Sequence, residues 1–411
     1  MTAVNDQSAN VYPSPRSLIF VFIASLIASL FLTHLIVESI IDAVSYDLGD
    51  PLPRNGVLEK NDRLAKAEIL MDGKVYGPEC LTVHPETGLV YTGLKTGLIV
   101  EIDLELREPK ITKAVSLITL EYCDGSYQAA PRCGRPLGVR FNDHGELVVL
   151  DAYFGVYVID FGTEKTMRVL ASGDLPLNDE TAPIRYINDF DFLPDGRIIL
   201  SESSTKFDDR DFIYELFEHR PNGRLLIYDP RKKTVRVLKD KIYFPNGVQV
   251  AVEKGAGKDD DVRVFYSEMG MTRIMTIWVP TDPYSKKKIR TKVLIDHLPG
   301  YPDNIRLSKS GHLFVPMPVQ RTSFDRYIEK YAAARSFFTK VISPQLFNSA
   351  SVWMAKGEPT ILKVDIETGK IIDSWSDTTG RIYDISTVVE DLKGRMLLGS
   401  DTNGYIARLN F

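Results

Sequence analysis

Apolar and polar residues alternate in short runs along most of the chain, and the runs come in pairs separated by turn residues, as in "PDGRIILSESS" and "GELVVLDAYFGVYVID". Six repeats of this kind begin 50 to 83 residues apart, each at a turn residue: Gly88, Gly145, Gly196, Asp261, Gly311 and Gly394. That period fits a four-stranded blade with its loops. The sequence therefore predicts an all-β fold, a six-bladed β-propeller over residues 64–411. A β-sandwich or two smaller β-domains are the alternatives.

Two further stretches complete this architecture. Residues 64–71, "LAKAEILM", can pair beside the last strand and join the two ends of the ring. Residues 322–342 fall in the longest interval between repeats and carry Phe324, Tyr327 and Tyr331 near helical spacing. We expect one helical insertion there, serving as a lid or a membrane-touching rim, or else packed on the blades as a plain surface insertion.

The N-terminal region has a different pattern. Residues 17–37, "SLIFVFIASLIASLFLTHLIV", run for 21 positions without Asp, Glu, Lys or Arg. A helix of that length crosses a hydrocarbon core of about 30 Å. We predict a transmembrane signal anchor at 17–37 between a cytoplasmic tail, 1–16, and a linker, 38–63. A cleaved signal peptide is the alternative.

The residues flanking and lining this segment predict its orientation and one mode of association. Arg16 precedes it and acidic residues follow it, which favours a propeller outside the cytosol. The expected protein is a single-pass type II membrane protein of the endoplasmic reticulum or plasma membrane, with a lumenal or extracellular propeller. Ala24 with Ala28, and Ser25 with Ser29, have the small-xxx-small spacing that lets membrane helices approach and form a homodimer. The other interpretation is that small residues are merely tolerated there.

Charge and cysteine content narrow the class of partner. The net charge is -5 and no long basic stripe is present, which argues against nucleic acid as a partner and suits cations or neutral substrates. Cys123 and Cys133 flank a short loop, "DGSYQAAPR", and a bond between them would pin a turn in an oxidising compartment. Cys80 would remain a lone thiol.

Oxygen-bearing side chains recur just before the apolar inner strands of four repeats: Glu79, Asn188, Asn246 and Asp303. In a propeller these segments meet near the central axis. Two carboxylates and two amides form a hard ligand set, and Ca²⁺ takes about six to eight oxygen ligands, water included. Each residue alone also fits an ordinary role in a turn or at a strand end. Their recurrence at equivalent positions predicts a calcium site.

Four stretches resemble a known family: "CGRPLGVRF", "LVVLDAYFGVYVID", "FPNGVQV" and "LPGYPDNIRLSKSGHLFVP". They are similar to motifs of the strictosidine synthase-like family, and with the N-terminal anchor the chain most resembles its adipocyte plasma membrane-associated branch. The family is similar to the calcium-dependent six-bladed propellers that include paraoxonase, regucalcin (a gluconolactonase) and diisopropyl-fluorophosphatase. The resemblance implies that Glu79, Asn188, Asn246 and Asp303 occupy the calcium positions. It also implies a disulfide between Cys123 and Cys133.

The chain departs from its relatives at two points of chemistry. Strictosidine synthase condenses an amine with an aldehyde using a glutamate in its last blade, whereas the nearest counterpart here is the shorter Asp384. The histidine pair of paraoxonases has no match among the histidines outside the membrane segment, His84, His144, His219, His297 and His312. Most of these follow turns, where we expect solvated or hydrogen-bonded side chains.

The expected function is a membrane-anchored, Ca²⁺-dependent hydrolase of small-molecule esters or lactones, similar to an arylesterase. Calcium would polarise the carbonyl, Asp303 would orient or activate water or attack directly, and Asp384 would exchange protons. Tyr301 and the helical insertion would supply an apolar wall. The main alternative is a non-enzymatic, membrane-tethered propeller that binds a protein or lipid, and a weaker one is strictosidine synthase-type condensation through Asp384.

Overall fold

The alternating runs form six four-stranded antiparallel sheets arranged as the blades of a propeller, as the sequence predicts. The computed structural model describes residues 14–119, 122–179, 181–251, 261–282, 285, 287–354 and 357–410. Residues 1–13, most of the predicted cytoplasmic tail, lie outside the described residues.

Each of blades one to three contains four consecutive strands. The strands are β2 Leu81–Val83, β3 Val90–Gly93, β4 Leu98–Asp103 and β5 Lys110–Ser116 in the first blade; β6 Pro136–Phe141, β7 Leu147–Asp151, β8 Gly155–Asp160 and β9 Lys165–Ala171 in the second; and β10 Tyr186–Phe192, β11 Ile198–Ser204, β12 Gly223–Asp229 and β13 Thr234–Ile242 in the third.

Blades four and five follow the same order, and the sixth is completed by the first strand of the chain. The strands are β14 Pro245–Ala251, β15 Val262–Glu268, β16 Arg273–Val279 and β17 Arg290–Ile295; β18 Arg306–Leu307, β19 Leu313–Met317, β20 Thr360–Val364 and β21 Ile371–Ser376; and β22 Thr387–Glu390, β23 Met396–Gly399, β24 Ile406–Leu409 and β1 Glu68–Leu70.

The ring closes between β1 and β24, where Glu68 pairs with Arg408 and Leu70 with Ile406. The Arg408 guanidinium also lies 2.7 Å from the Glu68 carboxylate. The strand that the sequence placed in 64–71 is therefore present, but it is short because residues Leu64–Lys66 form a 3-10 turn first. Closure leaves each blade packed against two neighbours, so buried apolar clusters lie between the blades.

Five of the six repeat residues are turn glycines that connect the first and second strands of their blades. Gly88, Gly145, Gly196, Gly311 and Gly394 all have φ between 74° and 85°. Only glycine adopts this conformation at no steric cost. These turns follow the first strand of each blade and lie on one face of the ring. The candidate site residues lie at the start of that strand and therefore on the opposite face.

A helix, α1, covers the predicted membrane segment from Pro15 to Ile36. It is the one helix among the described residues that is long and apolar enough to cross a membrane, and the protein buries none of that apolar stretch. Pro15 occupies its first turn, and the Ser14 side chain caps it by accepting from the backbone N–H of Ser17 at 3.2 Å.

The segment 38–63, expected to be a linker, lies against the propeller. Ile41 and Leu48 are buried, and the backbone N–H of Val44 donates to the carbonyl of Glu218 at 3.1 Å. We call residues 38–52 the strap. Further along, Asn61 exchanges hydrogen bonds with Ser376 on the last strand of the fifth blade.

The insertion consists of three helices instead of the single helix predicted for 322–342, and it reaches Met354: α4 Ser323–Glu329, α5 Ala332–Val341 and α6 Pro344–Met354. The first break occurs where the strap binds, because the carbonyls of Glu329 and Lys330 accept from Tyr46 and Ser45. The second break precedes Pro344, which starts α6.

Two short helices that the sequence analysis did not predict complete the fold. The helix α2, Ala130–Cys133, precedes the second blade, and α3, Phe212–Glu218, joins the second and third strands of the third blade. The helix α3 packs with Ile41 of the strap and Phe347 of α6. Together the strap, α3 and the three insertion helices form the lid over one face of the ring.

Candidate functional site

Four side chains that the sequence analysis singled out lie around one cavity of about 200 Å³ under the lid. Glu79 and Asp303 precede the innermost strands of blades one and five, whereas Asn188 and Asn246 lie within the innermost strands of blades three and four. All four are buried, with relative exposures of 3 to 7%. Residues far apart in sequence therefore meet because the first strand of every blade faces the axis.

Each of these side chains has a buried oxygen without a hydrogen-bond partner among the described residues: Glu79 Oε2, Asn188 Oδ1, Asn246 Oδ1 and Asp303 Oδ1. The other Glu79 oxygen accepts from Asn304 Nδ2 at 2.9 Å. A buried, unsatisfied polar atom costs about 1–3 kcal/mol. Four of them in one cavity indicate a group that accepts oxygen ligands.

The electrostatics of the two carboxylates agree with this requirement. The pKa of Glu79 is raised to about 8, mainly because the side chain is buried. Burial, followed by the negative charges of Glu79 and Asp384, also raises the pKa of Asp303 well above its ordinary value. Without a counter-charge, two buried carboxylates in one cavity do not both ionise. A cation between them stabilises both in their charged forms.

All four candidate ligand atoms are oxygens, two from carboxylates and two from side-chain amides. Among the described residues no three His, Cys, Asp or Glu side chains converge in the manner of a zinc or iron site. Two carboxylates and two amide oxygens are hard ligands that suit Ca²⁺, with open positions for water or a substrate oxygen. The residues present therefore fit a calcium ion.

The stretch "YFPNGVQV" has the residues of a tight turn, but in the structure Pro245–Ala251 is strand β14. A Cβ atom at Gly247 would lie 2.4 Å from the backbone nitrogen of Ile305 and 2.6 Å from the carbonyl oxygen of Asp303. Glycine is required because the backbone of the next blade passes directly against it. This contact places Asn246 beside Asp303.

Hydroxyl groups from neighbouring blades fix the backbone at three of the four positions. Ser203 Oγ donates to the carbonyl of Pro245 at 2.8 Å, and Ser267 Oγ donates to that of Asp303 at 2.9 Å. Ser386 Oγ donates to the carbonyl of Glu79 at 2.7 Å. All three serines are fully buried. Blades three, four and six thus each hold the candidate-ligand segment of the blade that follows, in the manner of an outer coordination shell.

A buried ion pair lies beside the candidate ligands. Both oxygens of Asp189 accept from the Arg306 guanidinium, at 2.7 and 3.0 Å, and Arg140 lies 3.6 Å from Asp189. Burial alone would raise the pKa of Asp189, but Arg306 and Arg140 together hold it below its ordinary value. Arg306 also contacts Cys80 Sγ at 2.9 Å. This network joins four blades directly next to Glu79 and Asn188.

Asp384 lines the same cavity from the sixth blade. Its Oδ2 accepts from Ser400 Oγ at 2.7 Å, from the Thr402 N–H at 2.9 Å and from Thr402 Oγ1 at 2.6 Å. Burial is the main cause that raises the pKa of Asp384, to about 6. The carboxylate is therefore held in one orientation, and burial makes it easier to protonate than an exposed aspartate.

Asp401 also lines the cavity and pairs with Lys95 at 3.1 Å and with the fully buried Arg135 at 2.6 Å. Arg135 follows the disulfide loop, and the Cys123–Cys133 bond is present, as the family resemblance implies. Cys80 is a buried free thiol. The disulfide is thus two residues from a side chain that organises the cavity.

The upper wall of the cavity is mainly apolar and aromatic. The helix α3 contributes Phe212, Leu216 and Phe217, and Tyr301 and Ile328 also line it. Tyr46 of the strap stacks on His219, with ring centroids 3.4 Å apart. His219 is buried in this wall instead of lying in a solvated turn, and burial lowers its pKa to about 3.

These features define a six-bladed propeller with a polar, oxygen-lined floor beneath a lid. The same fold occurs in the solved structure of a gluconolactonase from Xanthomonas campestris, with a TM-score of 0.51, 11% identity and coverage of 89% of this chain and 96% of that one. It occurs also in a putative gluconolactonase, with a TM-score of 0.51, 12% identity and coverage of 90% and 97%. At such identity the likeness shows the fold alone.

Sequence similarity identifies the family. The Strictosidine synthase family model matches residues 188–282, and the model for the N-terminal part of strictosidine synthase-like proteins matches 56–102. Adipocyte plasma membrane-associated protein of Gallus gallus is 31% identical over 388 residues, or 94% of this chain and 88% of the relative. The Salmo salar protein is 30% identical over 387 residues, with the same coverage of 94% and 88%. The chain belongs to this strictosidine synthase-like family of adipocyte plasma membrane-associated proteins.

Two groups of site residues escaped the sequence analysis. The serines Ser203, Ser267 and Ser386 and the ion pair of Asp189 with Arg306 act through contacts between blades that no local pattern reveals. In the sequence the three serines appear only as hydroxyl residues at the ends of apolar stretches, in "SESS", "YSEM" and "DIST". Tyr46 and His219 were missed because the strap was expected to be a linker.

Proposed function

We propose that this protein is a membrane-anchored, calcium-dependent hydrolase of carboxylic esters or lactones. The observation that carries the proposal is the set of four unpartnered oxygens on the floor of an apolar-walled cavity. The lactone part is also favoured by the gluconolactonases named among proteins of the same fold.

Glu79, Asn188, Asn246 and Asp303 would hold the calcium ion. When bound, Ca²⁺ supplies Lewis-acid polarisation of a substrate carbonyl and favours the negative charge that develops on its oxygen. The two amides add ligands without adding negative charge, so the site remains electropositive towards the substrate.

The remaining chemistry falls to side chains around the floor. Asp303, the most exposed of the four ligands at 7%, would orient or deprotonate the attacking water. Asp384, locked by Ser400 and Thr402, would take up and return a proton. Phe212, Leu216 and Phe217 would exclude water from the acyl or aromatic part of the substrate.

We also propose that the propeller lies on the lumenal or extracellular side of the endoplasmic reticulum or plasma membrane. The helix α1 and the relatives named as membrane-associated support an N-terminal anchor. The Cys123–Cys133 disulfide supports an oxidising compartment.

The test uses the full chain in detergent with phenyl acetate and a panel of small lactones, assayed with calcium, with excess chelator, and after calcium is restored. We expect turnover that the chelator removes and calcium restores. Asp303→Asn should abolish it, whereas Asp384→Ala should at most reduce it. Asp240→Asn, the same change at an exposed position on β13, is the matched control and should leave turnover unchanged.

The other outcomes separate the alternatives. Calcium-independent turnover that Asp384→Ala removes more severely than Asp303→Asn would contradict the calcium mechanism and put the chemistry at Asp384. Product formed from an amine and an aldehyde, instead of from esters or lactones, would favour condensation. An absence of turnover on every substrate, together with a melting temperature raised by calcium, would favour a structural ion and a binding role.

A further inference from the structure

The helix α4 has two contrasting faces. Asp325 and Ile328 line the cavity on its inner side. On the outer side Phe324 and Tyr327 have relative exposures of 57% and 62%, and their spacing of three residues puts them on one side of α4. Tyr331, at the break before α5, is 50% exposed, and its ring lies 4.7 Å from that of Tyr327, so the three rings form one exposed face. The outward face of a surface helix is usually polar, so this aromatic face needs a partner.

The N-terminal helix ends next to the lid that carries this face. The helix α1 ends at Ile36, and Ser39 Oγ already lies 3.3 Å from Thr339 Oγ1 on α5. The helices α1 and α5 also come into contact. Three residues of chain span at most about 11 Å. The lid therefore begins within about that distance of the membrane boundary that α1 defines.

The strap holds α3 and the insertion helices in a fixed relation to the end of α1. The buried Arg335 of α5 donates to the carbonyls of Val44 in the strap and Phe217 in α3, and its guanidinium lies 4.7 Å from the centre of the Tyr46 ring. The Tyr46 N–H donates to the carbonyl of Glu329 at the end of α4, at 3.1 Å. These contacts make the segment after the membrane helix part of the lid instead of a flexible tether.

We propose that Phe324, Tyr327 and Tyr331, the aromatic face of the lid, lie in the headgroup region of the bilayer that α1 crosses. Aromatic rings with a polar edge favour this region because their faces are apolar and the tyrosine hydroxyls remain hydrated. The partner is the lipid surface itself, because the anchor brings that surface to the lid. The inference depends on α1 spanning the membrane and holds whether or not the cavity hydrolyses esters.

The experiment uses the full chain in phosphatidylcholine vesicles, with an environment-sensitive fluorophore attached to a single introduced cysteine. Cys80 is buried and the other two cysteines are bonded to each other, so an introduced thiol at the surface is labelled selectively. Tyr327→Cys carries the probe on the aromatic face, and Phe324→Cys is a second position on it. Leu392→Cys is the matched control, an apolar residue that is 49% exposed in a turn on the opposite face of the ring.

Nitroxide-labelled lipid and aqueous iodide serve as quenchers. We expect several-fold stronger lipid quenching at positions 327 and 324 than at 392, with iodide showing the opposite order. Equal lipid quenching at the three positions, or iodide quenching at 327 and 324 as strong as at 392, would overturn the proposal. Protection of 327 and 324 from both quenchers would also overturn it, because a protein partner or a second copy of the chain would then cover the face.

Discussion

Ser267, on the second strand of the fourth blade, donates a 2.9 Å hydrogen bond to the backbone carbonyl of Asp303 in the fifth. The serine is fully buried, and this bond connects it to Asp303, which lines the cavity. It shows how the site is built: side chains of one blade fix the backbone of the next, so the floor of the cavity depends on the packing of the whole ring.

Removing this hydroxyl should therefore weaken calcium binding without touching a ligand. Ser267→Ala leaves the Asp303 carbonyl without its partner, at a cost of about 1–3 kcal/mol, and lets Asp303 move. We expect a lower melting temperature and a smaller rise in that temperature on adding calcium than in the wild type. Thermal unfolding at a series of calcium concentrations measures both, and a calcium-induced rise equal to that of the wild type would contradict the positioning role.

Gly247→Ala should have a larger effect, because the added Cβ would lie 2.4 Å from the Ile305 nitrogen and 2.6 Å from the Asp303 carbonyl. Overpacking of this kind costs about 1–3 kcal/mol and would push blades four and five apart. Gly162→Ala is the control, since that glycine is exposed and its nearest neighbour, at 3.1 Å, is a side-chain oxygen of Asp160. Chemical denaturation of the two variants should separate them clearly, and equal stability would refute the close approach of the two blades.

Breaking the buried ion pair of Asp189 with Arg306 should lower the free energy of unfolding, because it leaves a buried charge without its partner. Arg306→Met removes the bidentate partner of Asp189, which is completely buried, and should destabilise the protein by about 3–5 kcal/mol. Arg231→Met removes an arginine that is 64% exposed and pairs with Asp229 at 3.5 Å, and it should cost less than about 1 kcal/mol. Urea denaturation tests this order. A small effect of Arg306→Met would mean that Arg140 alone can hold the Asp189 charge.

His219 should make the protein less stable in mild acid. Burial lowers its pKa from 6.5 to about 3 in the folded protein, with the Arg335 charge as the second cause. Between pH 6.5 and about pH 3, His219 is therefore protonated in the unfolded chain but neutral in the folded protein. The free energy of unfolding falls as the pH drops below about 6.5.

His219→Phe keeps an aromatic ring on Tyr46 but cannot be protonated. We expect this variant to lose less stability than the wild type between pH 6.5 and pH 4.5, where one such group contributes up to about 1.4 kcal/mol per pH unit. The measurement is the melting temperature across that range. Parallel curves for the two proteins would show that His219 is not buried in its neutral form.

The fold and the position of the site could be predicted because both depend on local patterns. Turn glycines such as Gly145 and Gly196 mark each blade, and the residue types at the start of the inner strands include Glu79 and Asn246. A propeller turns such repeats into equivalent positions around an axis, so the four candidate ligands could be brought together without any knowledge of contacts.

The rest could not be predicted, because it is set by contacts between distant parts of the chain. Gly247 has the sequence context of a turn. Glycine is required there, however, because the backbone of Asp303 in the next blade leaves no space for a side chain. The break between α4 and α5 arises where the backbone N–H of Tyr46, far earlier in the chain, donates to the carbonyl of Glu329. No local pattern contains either contact.

Isothermal titration calorimetry of the purified full chain measures whether the floor of the cavity binds calcium. We expect one ion per chain for the wild type and for the exposed-carboxylate control Asp240→Asn. We expect binding to be lost in the double variant Glu79→Gln with Asp303→Asn, which keeps the side-chain shapes but removes both charges. If the calcium-free wild type bound no calcium, or the double variant bound it as the wild type does, the cavity floor would not be a calcium site.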